Sequence, residues 1–152
     1  MIKDYNFFLS EIKTNIDTKV VDKSNKPLVM YHGGSFSGGE FRGWGWFTVS
    51  KKDAYYYAKK SDGNLTKAYL IIKNPLYTGN IKHLGIIPTK EILNSVKKRN
   101  INILIEDGVL SYIEANSGIL IALDTGRDGV IDLYDDEILD AVIFNNNQII
   151  LL

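Results

Sequence analysis

The chain has 152 residues, of which 45% are hydrophobic and 24% charged, and its formal net charge is zero. This size and composition predict one soluble globular domain with a substantial core. Zero net charge gives no general attraction to nucleic acid or to an anionic membrane, although it leaves a local basic patch open. Cysteine is absent, which excludes disulfides, thiolate metal sites and cysteine nucleophiles and fits a reducing, cytoplasmic setting.

The spacing of apolar residues predicts an amphipathic helix over residues 5–16, inside an N-terminal segment of residues 1–18. Asp4 and Glu11 lie around its apolar patch, so the segment has the pattern of neither a signal peptide nor a membrane span. Four features are then expected in order: a short strand at 19–21, a turn at 23–27, a buried strand at 28–32 and a glycine-rich loop at 35–45.

A strand at residues 46–49 and a helix at residues 51–60 are predicted after that loop. Ser50 is a suitable cap for the helix, because a serine hydroxyl can accept a hydrogen bond from the first backbone N–H groups. Ala54, Tyr57 and Ala58 share one face of this helix. The alanines leave room for the tyrosine on that face. Tyr55 and Tyr56 are beside Tyr57, so its assignment depends on the phase of the helix.

The rest of the chain is predicted to be mainly short strands. Thr89 is expected to cap a helix that reaches Asn100, with Ile92, Leu93 and Val96 facing inward. Residues 102–106 fit either a helix or a strand. The remaining predicted strands are residues 65–72, 119–123, 129–133, 140–144 and 148–152. Many short strands with a few helices predict an α+β domain built from two packed mixed sheets.

Three groups of residues have the chemistry of a ligand site. His32 precedes two glycines at a strand end, where a ligand can approach the backbone closely. Trp46 and Tyr57 lie on neighbouring rigid elements and could hold a flat ring between them. Asp140 opens an apolar strand, where a poorly solvated carboxylate could stabilise positive charge. Taken singly, each pattern is more often structural: a strand end, a core aromatic pair or a turn acid.

The order of four motifs carries more information than any one of them. YHGG, GWFT, AYYYA and DAVIFNNNQI begin at Tyr31, Gly45, Ala54 and Asp140. In that order they resemble the His-Tyr-Glu clan of ADP-ribosyltransferases, which includes diphtheria toxin and the poly(ADP-ribose) polymerases. VVDKSNKPLVMYHGG, YLIIKNPL and DGVIDLY are similar to segments of the small transferase domains in phage polyvalent proteins. The resemblance implies a single domain, residues 1–152, with the split β-sandwich of that clan.

The resemblance implies that NAD is the co-substrate. His32 would hydrogen-bond the adenosine ribose of NAD, and the backbone of Gly33 would pair with the nicotinamide carboxamide. Tyr57 would stack on the nicotinamide ring, with Trp46 as a second wall. The full set of implied NAD contacts is His32, Gly33, Trp46, Phe47, Thr48 and Tyr57.

The catalytic residues implied by the resemblance are Asp140, His32 and Tyr57. Asp140 stands where the family has a glutamate that stabilises the positively charged ribose as nicotinamide leaves. Aspartate is shorter by one methylene, and a misplacement of that size can cost about a hundredfold in rate. Glu137 is an alternative source of the carboxylate. Trp46 is a second departure, since the family has a tyrosine there.

We therefore expect a mono-ADP-ribosyltransferase that releases nicotinamide and transfers ADP-ribose to a macromolecule. A protein acceptor, such as a host or bacterial target, is favoured over nucleic acid. Ile138 stands where arginine-specific transferases carry Gln or Glu, so an arginine acceptor is not supported. The alternative is a weak or inactive module that binds NAD or a partner protein as an inhibitor or adaptor. Neither a metal ion nor a membrane is expected to take part.

Two further patterns are weaker. Residues 124–135 follow part of a calcium-loop pattern, but Gly126 and Asp135 stand at the third and twelfth places, where a ligand and a glutamate are usual. A glycine-bearing turn into a strand is the favoured interpretation. The basic residues 97–99 close a predicted helix, where positive charge is favourable and solvated, and contact with an acidic or nucleic-acid acceptor is the lesser alternative.

Overall fold

The computed structural model describes residues 16–34, 44–60 and 63–152. Within them lie three α-helices, α1 (Lys51–Lys60), α2 (Lys90–Arg99) and α3 (Ala115–Asp124). The strands are β1 (Met30–Gly34), β2 (Gly45–Thr48), β3 (Asn64–Leu70), β4 (Pro75–Asn80), β5 (Ile103–Glu106), β6 (Val109–Ile113), β7 (Gly129–Tyr134), β8 (Glu137–Ile143) and β9 (Ile149–Leu151). The helix predicted for residues 5–16 and most of the predicted glycine-rich loop fall outside the described residues.

The nine strands form one mixed sheet in the order β5-β6-β4-β7-β8-β2-β1-β3-β9. The pair β4–β7 is parallel, and the other recorded pairs are antiparallel. The α+β class and the mixed pairing expected from the sequence are confirmed. The two expected sheets are joined, because β8 pairs with β7 along one edge and with β2 along the other. Ala141 in β8, for example, faces both Ile131 and Phe47.

The strand predicted for residues 119–123 is wrong, because these residues lie in α3. Glu114 starts this helix: its carboxylate accepts hydrogen bonds from the backbone N–H groups of Asn116 and Ser117 at 3.0 and 2.9 Å. The apolar run continues around the helix and is buried, at Ile119, Ile121 and neighbouring positions. A short apolar run does not distinguish a buried helix from a buried strand, so the cap is the informative signal.

Other elements agree with the sequence more closely. Ser50 and Thr89 cap α1 and α2 as predicted, accepting bonds from Asp53 N at 3.1 Å and Ile92 N at 3.2 Å. Residues 102–106 contain a strand, β5, and not a helix.

Three other predictions differ from the structure. The predicted inward-facing residues of α2 are partly wrong, since Leu93 is 42% exposed. Strands β4 and β6 were not predicted, and the expected strand at 19–21 is reduced to a single bridge between Val21 and Pro27.

Gln148 of the C-terminal motif has a structural role. Its side-chain oxygen accepts hydrogen bonds from the backbone N–H groups of Phe144 and Asn145 at 3.0 and 2.9 Å. Its amide group donates to the carbonyl oxygens of Ile71 and Asp128 at 3.0 and 2.7 Å. One buried side chain thus ties together the end of β8, the segment after β3 and the start of β7. Among the described residues, no helix is long and apolar enough to cross a membrane.

Candidate active site

A cavity of about 680 Å³ opens where β1, β2, β8, α1 and the start of α3 meet. Six of its lining residues are ones that the resemblance assigned to an NAD site: His32, Gly33, Trp46, Thr48, Tyr57 and Asp140. The other lining residues are Tyr31, Asp53, Ala54, Tyr56 and Asn116. Residues that are up to 109 positions apart in the sequence therefore share one concave surface, which is the usual form of a small-molecule site.

Gly33 allows α1 to pack directly on β1. A Cβ atom at this position would lie 1.6 Å from the carbonyl oxygen of Ala54 and 2.8 Å from the backbone nitrogen of Ala58. Both alanines are almost fully buried in this contact. The tight approach brings Tyr57, on the same helix, to the cavity, where its side chain remains 58% exposed. A ring in this position has a face that a planar ligand can cover.

Replacing Gly33 with alanine is expected to disrupt the site through packing. The added methyl group cannot share space with a backbone carbonyl, so α1 must shift, and overpacking of this kind costs about 1–3 kcal/mol. We expect a lower melting temperature and loss of NAD-dependent thermal stabilisation. The matched control is Gly108→Ala: alanine strains this β5–β6 turn position at φ +78°, but its Cβ atom meets no neighbouring atom and the turn is not part of the cavity lining. A control that lost NAD binding, or a Gly33→Ala protein that kept it, would contradict this account.

His32 is held in a defined orientation. Its Nδ1 atom lies 2.7 Å from the carbonyl oxygen of Trp46. A carbonyl only accepts, so Nδ1 carries the proton and donates, and in the neutral ring Nε2 is an acceptor. The ring also packs on Phe47, with centroids 5.3 Å apart. A histidine fixed in this way can accept a hydrogen bond from a sugar hydroxyl.

Phe47 lies in the core and not at the cavity. Its side chain is fully buried, and it is absent from the lining, although the resemblance implied an NAD contact. The reason is the alternation of side chains along a strand. Trp46 and Thr48 of β2 line the cavity, whereas Phe47 between them is turned into the core, next to the ring of His32. Its contact with the ring of His32 makes it a support for the site.

The sequence predicted that Asp140 opens a strand. In the structure it lies in the middle of β8, which begins at Glu137. It faces Thr48 on β2 and Asp132 on β7. Burial raises the pKa of its carboxyl, and the negative charges of Asp132 and Asp53 raise it further. Hydrogen bonds from the side chains of Thr48 and Trp46 oppose this effect by stabilising the carboxylate.

The backbone around Asp140 is irregular. Asp132 pairs with Asp140 and Leu133 pairs with Ile138, so Leu139 is an extra residue on β8. The backbone oxygen of Leu139 turns to β2, where it accepts from Val49 N at 3.0 Å. A bulge of this kind bends a strand and changes the direction of its side chains. This local shape can compensate for the shorter reach of aspartate.

Glu137, the alternative carboxylate, lies elsewhere. Its side chain is exposed and forms an ion pair with Lys23, with Nζ 2.6 Å from Oε1. It is three residues from Asp140 in β8 and does not line the cavity. Of these two candidates, Asp140 is thus the one that the structure brings together with His32 and Tyr57.

Four lining residues were not identified from the sequence: Tyr31, Asp53, Tyr56 and Asn116. The sequence contained a signal for Asp53, because it lies one helical turn before Tyr57 on the same face of α1. Asn116 was not, because the helix that carries it was predicted as a strand. Tyr31 and Tyr56 are neighbours of predicted residues, and motif order alone does not show that they reach the same space.

Asp124 and Asp128 of the calcium-like segment have protein partners. Asp124 ends α3 and accepts from Arg99, with a shortest distance of 2.5 Å, and from Ser95 at 2.7 Å. Asp128 accepts from the backbone N–H groups of Lys73 and Asn74, both at 2.8 Å. The segment joins a helix to a strand, as a turn and not as a helix-flanked ion loop. Arg99 of the basic run also has a structural partner in Asp124.

Comparison with known proteins defines the class of this protein. Residues 22–150 match a family model described as ADP-Ribosyltransferase in polyvalent proteins. The chain belongs to this family, and the match covers β1 to β8 and with them every residue that lines the cavity. Neither a curated protein nor a solved structure gave a match to the chain.

Proposed function

We propose that this protein is a mono-ADP-ribosyltransferase that binds NAD in the cavity, releases nicotinamide and transfers ADP-ribose to a macromolecule. The single observation that carries the proposal is the convergence of His32, Tyr57 and Asp140 on one cavity. They come from β1, α1 and β8, and the resemblance gives all three a role toward NAD. Membership of the transferase family supports the same reaction class.

NAD is proposed to bind with its nicotinamide between Tyr57 and Trp46. Both side chains line the cavity, and aromatic faces are suited to a flat heterocycle. The backbone of Gly33 is accessible to a carboxamide because no side chain covers it. His32 would accept from a hydroxyl of the adenosine ribose through Nε2, since Nδ1 is held by the Trp46 carbonyl. Thr48 is proposed to act mainly through Asp140, to which it donates a hydrogen bond.

In the proposed reaction, the glycosidic C–N bond of NAD breaks and its electron pair leaves with nicotinamide. Positive charge then develops on the ribose, and a nucleophilic atom of the acceptor forms the new bond and loses its proton. Asp140 is placed to stabilise that charge, because its carboxylate is half-buried at the cavity and held by two donors. A fixed negative charge in a poorly solvated site favours the charged transition state over the neutral ground state of the sugar.

The reaction should be sensitive to acid. Asp140 acts as a carboxylate, and its pKa is raised by burial and by Asp132 and Asp53. Activity is therefore expected to fall as the pH drops through a value above the ordinary pKa of aspartate, and to level off at higher pH. The measurement is the pH profile of kcat/KM for nicotinamide release. A profile that stayed flat down to the ordinary aspartate range would show that Asp140 is not the group that titrates.

A second candidate function is a binding module without turnover, favoured by aspartate in place of the family glutamate. Asp140→Glu separates the two candidates. If the protein turns over, the glutamate variant should remain active or gain activity, because it restores the longer side chain. If the protein is a binding module, NAD should stabilise it in a thermal-shift assay while nicotinamide release stays absent in both forms.

The acceptor is proposed to be a macromolecule that receives one ADP-ribose unit, with a protein of the host or bacterial cytoplasm as the first class to test. Tyr56 and Tyr57, 61% and 58% exposed, lie on the open side of the cavity, where such an acceptor would have to approach. Mass spectrometry of a bacterial lysate incubated with the protein and isotope-labelled NAD would detect the modified species. Digestion with protease or with nuclease before analysis would assign its class.

A further inference from the structure

Asp140 has a second carboxyl directly beside it, on the neighbouring strand. Asp132 of β7 is its register partner across the antiparallel β7–β8 pair. Side chains that face each other in such a pair have Cβ atoms about 4.5–5.5 Å apart and interact directly. Two acids in this arrangement destabilise a sheet when both are charged. Asp132 lies in the segment DGVIDLY, but the resemblance gives it no role and the proposed NAD contacts do not use it.

The two carboxyls lie within a polar row that crosses four strands. Thr78 of β4 donates from Oγ1 to Oδ1 of Asp132 at 2.7 Å, and Thr48 of β2 is the register partner of Asp140. Thr78 is fully buried, so its hydroxyl has a fixed position. Each carboxyl therefore has a threonine on its outer side, while the inner sides face each other. Leu139, the residue before Asp140 on β8, forms the bulge at which the register shifts.

We propose that Asp132 is a positioning residue for the transfer reaction: held by Thr78, it directs the Asp140 carboxyl toward Thr48 and the cavity. The inference rests on the proposed function. Repulsion between the two carboxylates disfavours orientations of Asp140 that point toward β7. The same repulsion makes the second ionisation of the pair harder than the first.

The other charged and titratable groups around the pair do not neutralise it. Asp53 of α1 adds negative charge at Asp140, and Glu114 at the start of α3 adds it at Asp132. The remaining titratable groups of the lining are His32 and the three tyrosines Tyr31, Tyr56 and Tyr57. Among the described residues, the cavity lining includes no lysine or arginine. The pair therefore lies in a region of negative potential, which suits a site where a cationic sugar forms.

Asp132→Asn is the direct test, because asparagine keeps the shape and can still accept from Thr78. Titration of the aspartate carboxyl carbons by NMR, with the Asp140 signal identified from its loss in Asp140→Asn, should show Asp140 ionising at lower pH in the variant. The acid limb of the kcat/KM profile should move in the same direction. We also expect the plateau rate to fall by about tenfold, the scale of one charge in a partly solvated site.

The melting temperature of Asp132→Asn gives a second readout. Replacing a residue that only stabilises the fold would lower it. Burial raises the pKa of Asp132, and the charge of Glu114 contributes, while the Thr78 bond opposes it. A folded-state pKa above the unfolded value means that the stability linked to protonation is present at low pH and is lost as the pH rises through the folded value. Asp132→Asn should therefore raise the melting temperature at neutral pH, with a gain that disappears in acid, although activity falls.

The control is Asp135→Asn, the same chemical change in the β7–β8 turn outside the cavity, at a positive-φ position that asparagine tolerates. It should leave the Asp140 titration and the pH profile unchanged. Turnover by the wild type with an unchanged acid limb in Asp132→Asn would overturn the inference and leave the proposed function standing. An absence of wild-type turnover with every acceptor would remove the proposed function, and the inference with it.

Discussion

Asp140→Asn is expected to reduce the rate of nicotinamide release by roughly 10²- to 10³-fold, the usual loss when one electrostatic stabiliser of a transition state is removed. Asparagine retains an oxygen that can accept from Thr48 and Trp46, so the change removes charge and little else. NAD binding should be affected less than the rate, because the positive charge of bound NAD lies on the nicotinamide ring and moves onto the sugar only in the transition state. The measurement is single-turnover nicotinamide release, with binding followed separately by thermal shift.

Two results would argue against this role. One is a rate within a few-fold of wild type; the other is a loss of NAD binding equal to the loss of rate, which would make Asp140 a binding residue only. Glu137→Gln is the matched control from the same strand, since Glu137 pairs with Lys23 outside the cavity. It should leave the rate unchanged.

His32→Ala is expected to weaken NAD binding by roughly 10- to 100-fold. The change removes the proposed acceptor for the ribose hydroxyl and leaves the Trp46 carbonyl without its imidazole donor, and such losses cost about 1–3 kcal/mol. Phe47 also loses a packed ring. Isothermal titration calorimetry with NAD gives the comparison, and circular dichroism shows whether the fold is kept.

The chain provides its own control for this experiment. Its second histidine, His83, forms a pair with Asp136 at 2.9 Å and lies away from the cavity. His83→Ala should bind NAD like the wild type. Equal affinity in the two alanine variants would remove His32 from the proposed site.

The local chemistry of capping and glycine placement made much of the fold predictable. Ser50 and Thr89 cap helices as expected, and the two glycines end β1 as the sequence indicated. The failures have separate causes. Residues 119–123 are buried around most of the helix, so their pattern lacks the polar face that distinguishes a surface helix from a strand. β4, which contains Pro75 and Gly79, shows weak strand character in its sequence and forms through its neighbours β6 and β7.

The site was predictable where a motif carries it and unpredictable where it depends on strand register. His32, Tyr57 and Asp140 belong to motifs and line one cavity. Asp132 belongs to a motif too, but its position opposite Asp140 follows from the pairing of β7 with β8. The same limit explains Phe47, since the orientation of GWFT depends on which residues of β2 face the cavity. The order of motifs in the sequence identifies candidate site residues, and the register of the strands determines which of those residues face one another.

Nicotinamide release from NAD is the measurement that tests the account most directly. The purified protein would be mixed with NAD and a bacterial lysate as the source of acceptors, beside Asp140→Ala and His32→Ala. We expect release by the wild type, loss of release in both variants, and labelled ADP-ribose on a macromolecule. Release that persisted in both variants would contradict the proposed site. No release by the wild type with any lysate, while NAD still stabilised the protein, would contradict the transferase and leave an NAD-binding module.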